Sequence, residues 1–287
     1  MRAIRYLGVF LFVSCLAATA LPAAGVSVEF GFGASFSVPA FSTAYRNQFI
    51  PPMTPAANAI SSSGSQTVRL KGEPSVAITG LFNLMFNDRW GLQFLFDSFR
   101  PGFGGTNDPL DLNLTYYLTD PADVYAFSKQ YPYPDSKGDY SETTYSLNGV
   151  YRLPVSEDLA LYFTGGFSAF HLKSGQAQPM GFASFRLELD PEPLLFIKTY
   201  QLVYDFGANT TYGFNLGGEL AFTVLRIMLL SLDVRYYYSP KAEFQMRIRP
   251  DEGLTDPIGP IEEALNLGTI SVDPSYLRLS FGIRLKF

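Results

Sequence analysis

Hydrophobic and polar residues alternate with a period of two in eight separate segments of the chain. The clearest segment is 26–38, where valine, phenylalanine and alanine fill the even positions and serine, glutamate and glycine fill the odd ones. Similar segments lie near 76–86, 90–97, 145–153, 159–168, 211–222, 228–238 and 276–287. Successive side chains of a β-strand point to opposite faces, so each segment predicts a strand with one apolar and one polar face.

The connections between these segments alternate between short and long. Tight turns are expected at 87–89, at 154–158 and around 225–226, whereas 39–74, 101–142, 174–210 and 240–273 are long connections without predicted secondary structure. Short periplasmic turns and long external loops are typical of transmembrane barrels, and compact soluble domains rarely contain such long connections. We therefore predict an all-β fold, a transmembrane antiparallel up-and-down β-barrel of eight strands formed by residues 26–287. An extra hairpin at Phe185–Leu189 and Leu194–Tyr200 would make ten strands, and we interpret it as projecting beyond the membrane.

The first 25 residues have the pattern of an export signal. Arg2 and Arg5 precede an apolar run from Tyr6 to Leu21, and small residues follow through Gly25. We predict a signal peptide at 1–25, with cleavage after Gly25 preferred over cleavage after Ala20. The alternative is a lipoprotein lipidated at Cys15, but the residues before Cys15 match the lipoprotein pattern poorly.

Composition narrows the function classes further. The 287 residues are 47% hydrophobic and only 16% charged, whereas about 25% is usual for soluble domains. A formal net charge of −5 argues against a nucleic-acid partner, because phosphate binding needs excess basic residues. One histidine and one cysteine leave little for a metal site or a nucleophilic dyad. We expect no metal, no cofactor and no enzymatic activity, and we expect a bacterial outer-membrane location in contact with lipid.

Charged residues within the strand segments fall on the polar face, which faces the lumen of a barrel. A basic residue on the lipid face would cost about 2–4 kcal/mol near the midplane. Four acids balance four bases, which predicts an ion-paired plug, and the alternative is a narrow gated polar pathway. This lumen charge network comprises Glu29, Asp97, Arg152, Glu219, Asp233, Arg235, Arg278 and Arg284.

A few apolar residues share the inward face with these charges. They are Leu95, Val150, Tyr162 and Phe170. Toward the loop end, such residues would line a funnel for a hydrophobic molecule, and the alternative is ordinary packing inside the barrel.

The C-terminal segment carries a family resemblance. Its alternating apolar residues and terminal phenylalanine resemble the signal that the outer-membrane assembly machinery reads, formed here by Leu277, Leu279, Phe281, Ile283, Leu285 and Phe287. With the eight strand segments, this ending is similar to the small outer-membrane barrels that include OmpW, OmpX and the OmpA transmembrane domain. The resemblance to OmpW-type barrels is favoured, and it implies uptake of small hydrophobic molecules.

Two further features bear on function. The second long connection is acidic and rich in tyrosine. Such a loop could bind divalent cations or a basic host surface, and the favoured alternative is that it provides solubility and extends the strands. Its charged residues are Asp108, Asp111, Asp120, Asp123, Asp135, Asp139, Glu142, Lys129 and Lys137. His171 is interpreted as a rim residue rather than a catalytic one. The resulting hypothesis is a small channel or uptake protein for small, hydrophobic molecules. The alternative is a non-conducting surface barrel whose loops mediate adhesion or envelope stability.

Overall fold

A computed structural model describes residues 26–49, 58–106, 108–117, 121–131, 135–189, 193–205, 207–245, 247–249 and 269–287. The predicted signal peptide lies outside these residues and stays a prediction. All regular structure in these ranges is β-strand. No helix long and apolar enough to cross a membrane occurs in them.

Seventeen strands follow one another along the described chain. They are β1 (Ser27–Pro39), β2 (Ser42–Phe49), β3 (Asn58–Gly72), β4 (Ser75–Met85), β5 (Trp90–Phe99), β6 (Gly102–Gly105), β7 (Leu110–Tyr117), β8 (Val124–Tyr131), β9 (Ser136–Pro154), β10 (Leu159–Leu189), β11 (Pro193–Asp205), β12 (Ala208–Leu225), β13 (Met228–Tyr238), β14 (Ala242–Gln245), β15 (Arg247–Arg249), β16 (Thr269–Val272) and β17 (Tyr276–Lys286).

Eight of these strands close into an antiparallel barrel. The order around the ring is β1, β4, β5, β9, β10, β12, β13 and β17, and β17 pairs back onto β1. Closure satisfies the backbone hydrogen bonds within the ring, as a lipid environment requires. The prediction of an eight-stranded barrel is confirmed. The extra hairpin is present as the far half of β10 paired with β11, but β11 is not part of the ring.

The barrel exterior is apolar because the alternating residues of every ring strand point outward together. Phe167, Leu216 and Val76 are 78%, 73% and 71% exposed, a pattern expected for side chains that face lipid. Exposed aromatic residues mark both ends of this belt. At the turn end they are Phe86, Trp90 and Phe287, and at the loop end they are Phe36, Tyr145, Tyr212, Tyr236 and Tyr238.

The short connections are tight turns closed by side-chain caps. Asn87 Oδ1 accepts hydrogen bonds from the backbone N–H groups of Arg89 and Trp90, both at 2.8 Å. Ser156 Oγ accepts one from the N–H of Leu159 at 3.2 Å. Asparagine and serine favour turns because their side chains replace backbone partners in this way. These turns therefore fix the register of the strands that they join.

The long connections contain strands, and the expectation that they lack secondary structure is wrong for the described residues. β2 and β3 form a hairpin above β1 and β4, and β7 and β8 extend its sheet along β3. β15 adds to β11, and β14 pairs with β16. Segments such as Ser42–Phe49 carry polar residues on both faces. They therefore lack the apolar alternation that reveals the barrel strands.

Candidate functional site

The lumen is filled in layers, and its layer nearest the turns is apolar. Inward-facing residues from several strands pack together there, and each is at most 3% exposed. The members of this layer are Met85, Val150, Ala160, Tyr162, Ala221 and Leu229. The layer closes the turn end of the barrel with side chains alone.

The second layer is an ion cluster centred on Arg284. This side chain is fully buried between Glu29 and Glu219, with Nη1 3.1 Å from Glu29 Oε2. Glu29 also accepts hydrogen bonds from the Tyr162 hydroxyl at 2.9 Å and from Asn83 Nδ2 at 2.8 Å. The guanidinium of Arg284 lies 4.6 Å from the centre of the Tyr162 ring. These partners offset part of the cost of burying the charges. Arg284 Nε and Glu219 Oε1 are buried without a hydrogen-bond partner among the described residues.

A third layer is built around Arg278 and Arg235. Arg278 Nη1 lies 2.6 Å from both carboxylate oxygens of Asp97, and Arg278 also pairs with Asp233. Arg235 pairs with the same Asp233 at 3.1 Å. Because Asp233 is shared by the two arginines, the layer forms one connected network.

Amide side chains extend this network across the lumen. Arg235 donates to Asn215 Oδ1 at 2.6 Å and to Gln93 Oε1 at 3.0 Å. Asn148 links the two amides, since it donates to Gln93 and accepts from Asn215. These residues come from β5, β9, β12 and β13, so the network ties opposite walls of the barrel together.

An aromatic layer closes the loop end of the ring. Tyr237 and Tyr276 stack with ring centres 4.3 Å apart and an interplanar angle of 15°. Phe99 packs against Tyr276 at 4.8 Å, and Phe170 meets Tyr237 edge-on at 6.2 Å. All four residues are buried. The Tyr237 hydroxyl donates to Asp97, which joins the aromatic layer to the ion network below it.

Glu142 lies at the level above, and it is buried without a cationic partner among the described residues. Its side chain is 1% exposed, and its Oε2 atom has no hydrogen-bond partner in the described part of the chain. The other oxygen accepts a hydrogen bond from the Thr144 hydroxyl at 3.5 Å. The sequence interpretation placed Glu142 in the acidic loop, but the structure places it inside the barrel wall on β9. The hydroxyl of Tyr140, another residue of that loop segment, is also buried.

The predicted lumen charges lie together, with one exception. Seven of the eight are at most 5% exposed and belong to the second and third layers. Arg152 is partly exposed near the turn end, where its backbone N–H bonds to the carbonyl of Arg89 at 2.7 Å. The clustered set holds four acids and three arginines. The role of these residues as a plug stays a prediction.

The four predicted lining residues lie at different levels of the lumen. Val150 and Tyr162 belong to the apolar layer at the turn end, and Phe170 belongs to the aromatic layer at the loop end. Leu95 borders a cavity of about 10 Å³, room for about one water molecule. The structure does not bring these four residues into one continuous surface. The sequence interpretation did not name Tyr237 or Tyr276 as lining residues, although the alternation of β13 and β17 places both inward.

The remaining predicted residues lie on the exterior. His171 is exposed on β10, with Nδ1 3.0 Å from Thr210 Oγ1. Among the described residues no group of three or more histidine, cysteine, aspartate or glutamate side chains is arranged to hold a metal ion. Phe287 directly follows β17, and its backbone exchanges hydrogen bonds with Val28 at 2.9 and 3.1 Å. The role of the C-terminal alternating residues as an assembly signal stays a prediction.

Outside the ring, an exposed ion pair holds β7 to β3. Arg69 Nη2 donates to Asp108 Oδ2 at 3.0 Å, and a second bond joins the same two groups. The backbone of Asp108 also donates to the Thr67 carbonyl at 2.9 Å. The hydrogen bond from Arg69 is the main cause that lowers the pKa of Asp108 from its ordinary value.

The closed ring, the apolar exterior and the filled polar lumen together define a small integral β-barrel of the bacterial outer membrane. Solved structures of similar architecture include the outer-membrane protein OprG from Pseudomonas aeruginosa, at 11% identity and a TM-score of 0.45, covering 92% of this chain and 96% of that chain. Neisserial surface protein A is similar at 11% identity and a TM-score of 0.38, covering 92% and 98%.

The attachment invasion locus protein Ail of Yersinia pestis, solved in complex with the heparin analogue sucrose octasulfate, is similar at 10% identity and a TM-score of 0.38, covering 92% and 99%. These likenesses concern architecture alone. No protein-family model and no curated protein matches the sequence. The finer resemblance to OmpW-type barrels stays a prediction.

Proposed function

We propose that the protein is a non-conducting outer-membrane barrel whose external strands form a contact surface. The observation that carries this proposal is the filled lumen, in which apolar, ionic and aromatic layers succeed one another from the turn end to the loop end. An eight-stranded barrel is just wide enough for its own side chains to fill it. A pathway for ions would require several of these layers to separate.

The external sheet of β2, β3, β7 and β8 supports the second half of the proposal. Tyr125 and Val124 on β8 are 44% and 51% exposed. In the described part of the chain, β8 is the last strand in the order of its sheet. Tyrosine is favoured in interfaces, and edge strands can pair with an added strand. A partner that meets this sheet would therefore find an exposed tyrosine and a hydrogen-bonding edge.

Attachment of cells tests the contact surface. Bacteria displaying the protein are compared with bacteria displaying a variant in which 109–131 is replaced by a short glycine-serine linker, on surfaces coated with extracellular-matrix proteins. The proposal predicts that this replacement abolishes attachment. A matched variant with a shortened β10–β11 hairpin controls for the general effect of removing an external segment, and it should attach as wild type does. Equal attachment by wild type and the 109–131 replacement, with both proteins folded, would contradict the proposal.

A second candidate is uptake of a small hydrophobic molecule through the barrel wall. The small cavity in the lumen reaches the wall where Gly33 and Gly282 pair across β1 and β17, beside the outward-facing Phe32 and Ile283. Glycines leave the wall thin at this point. The double variant Phe32→Cys, Ile283→Cys would lock these directly paired positions with a disulfide.

Uptake of a hydrophobic fluorescent probe into cells tests this second candidate. Wild-type uptake that stops in the oxidised lock and returns on reduction would support it. A lock at the paired positions Leu161→Cys and Leu220→Cys is the matched control elsewhere in the wall. Uptake that the β1–β17 lock leaves unchanged would rule out passage at this seam.

A further inference from the structure

The outer surface of β9, β10 and β12 changes in character step by step toward the loop end. Phe167 protrudes from the lipid-facing belt with 78% of its side chain exposed. In the next row outward, Ala169 lies between Tyr145 and Tyr212, which pair with it in register on either side. The small alanine leaves a shallow gap between two exposed tyrosines.

The two rows above the tyrosines carry basic and hydroxyl groups. His171 lies in register between Thr143 and Thr210, and Lys173 follows two residues further along β10. Both His171 and Lys173 are exposed. The contact of His171 Nδ1 with Thr210 leaves Nε2 as the ring nitrogen that faces a ligand.

The height of these residues matches the lipid headgroups. Tyrosines of a barrel girdle lie at the membrane interface. A strand rises about 3.3 Å per residue, so His171 and Lys173 lie about 7 and 13 Å beyond the tyrosine row, less the effect of strand tilt. The headgroup layer on each side of the hydrocarbon core is about 5–7 Å thick. The backbone of His171 therefore lies at the headgroup layer. The backbone of Lys173 lies several ångströms beyond it, and the long lysine side chain can reach back to the headgroups.

The charge of this rim is opposite to that of the protein as a whole. The three rows across β9, β10 and β12 contain tyrosine, alanine, threonine, serine, histidine and lysine, and no acid, in a chain of net charge −5. A rim that carries basic groups and no acid favours contact with an anion.

We propose that this rim binds the phosphate-bearing headgroup of a lipid in the outer leaflet. Lys173, His171 Nε2 and the flanking hydroxyls contact the phosphate. The top of one acyl chain passes over Ala169 between Tyr145 and Tyr212 and continues along Phe167. This site is distinct from the contact surface on the external sheet, because its ligand is a lipid of the membrane in which the barrel lies.

Native mass spectrometry of the folded protein in detergent tests this site directly. Wild type is titrated with bisphosphorylated lipid A, with the same lipid after removal of its phosphates, and with inorganic phosphate as a competitor. The double variant His171→Gln, Lys173→Gln should bind bisphosphorylated lipid A at least about fivefold more weakly. Ala169→Leu should also weaken binding, because it fills the gap while leaving the charges in place.

The double variant Lys71→Gln, Lys137→Gln is the matched control, since both lysines are exposed but lie outside the rim. It should bind lipid A as wild type does. Equal binding by wild type and the His171, Lys173 variant would overturn the proposal. So would equal binding of the dephosphorylated lipid, which would indicate acyl-chain contact alone. Full displacement of lipid A by inorganic phosphate would identify a free-anion site instead of a lipid site.

Discussion

The buried arginines of the lumen depend on glycines at facing positions. A Cβ atom on Gly31 would lie 2.9 Å from Arg284 Cγ and equally close to Leu81 Cγ. A Cβ atom on Gly217 would lie 3.0 Å from Arg235 Nε. The first contact is closer than Cβ atoms come to other atoms, and the second is tight enough that the neighbour would have to shift. These glycines therefore create space that the arginine side chains occupy.

Gly31→Ala should therefore destabilise the barrel. Overpacking of a filled interior costs about 1–3 kcal/mol. Urea unfolding in lipid vesicles measures the change in the free energy of unfolding. Gly80→Ala is the matched control, because an added Cβ at this outward-facing glycine meets nothing within 4 Å. Similar unfolding free energies for the two variants would show that Arg284 does not need the space beside Gly31.

Buried carboxylates with and without a cationic partner should respond in opposite ways to neutral substitution. Glu219→Gln removes one of the two acids that pair with Arg284. We expect the free energy of unfolding to fall by about 1–3 kcal/mol. This is less than the full cost of breaking a buried ion pair, because Glu29 still pairs with Arg284. Glu142→Gln removes a buried carboxylate that has no such partner, and we expect unchanged or increased stability. Unfolding of both variants in the same vesicles provides the comparison. A loss at Glu142 as large as that at Glu219 would reveal a stabilising partner for Glu142.

At the scale of whole elements, alternation identified the barrel strands but not the external ones. Ring strands separate lipid from the packed lumen, so their two faces differ in polarity and the sequence shows it. β2, β3 and β7 lie outside the barrel, and their sequences do not require that difference. Glu142 is not recognisable as a barrel residue because the apolar alternation of this segment begins only at Tyr145. If the alternation of inward and outward positions is extended along β9 from Tyr145 through Thr144, Glu142 falls on the inward face.

The aromatic layer was missed for a related reason. Tyr237 lies between two outward-facing tyrosines, so residue type alone does not distinguish the buried residue from its exposed neighbours. The contacts between Phe99, Tyr237 and Tyr276 also depend on strands far apart in the chain. The alternation along a strand assigns each residue to a face, but only the closed ring shows which inward residues contact one another.

The attachment of β7 to β3 should depend on the ionisation of Asp108. Its pKa is lowered in the folded protein, so its contribution to stability is present at neutral pH and is lost as the pH falls through that lowered pKa. At neutral pH, Asp108→Asn should speed amide hydrogen exchange in β7 about two- to fivefold, a small effect because the pair is exposed. The difference from wild type should vanish at a pH below the lowered pKa, where Asp108 is also uncharged. A difference that persists there would assign the effect to the amide rather than to the charge.

At the scale of the whole molecule, the protein is a closed cylinder whose interior is occupied by its own side chains. The apolar layer, the two ion clusters and the aromatic layer each connect opposite walls. The external strands, in contrast, form additional sheets outside the ring. Function is therefore expected on the outer surfaces of the molecule, at the external sheet and at the rim, rather than along the barrel axis.

Conductance of the folded protein in planar bilayers tests the sealed lumen most directly. We expect no channel openings from wild type at voltages that the bilayer withstands. The variant Tyr162→Ala, Arg284→Ser, Arg278→Ser, Tyr276→Ala truncates one side chain in the apolar layer, one in each ion cluster and one in the aromatic layer, and in its folded form it should produce small openings that prove insertion. If the lumen is sealed, wild type shows no openings and the variant does. Discrete wild-type openings of stable size would contradict it and return the lumen to the role of a conducting pathway.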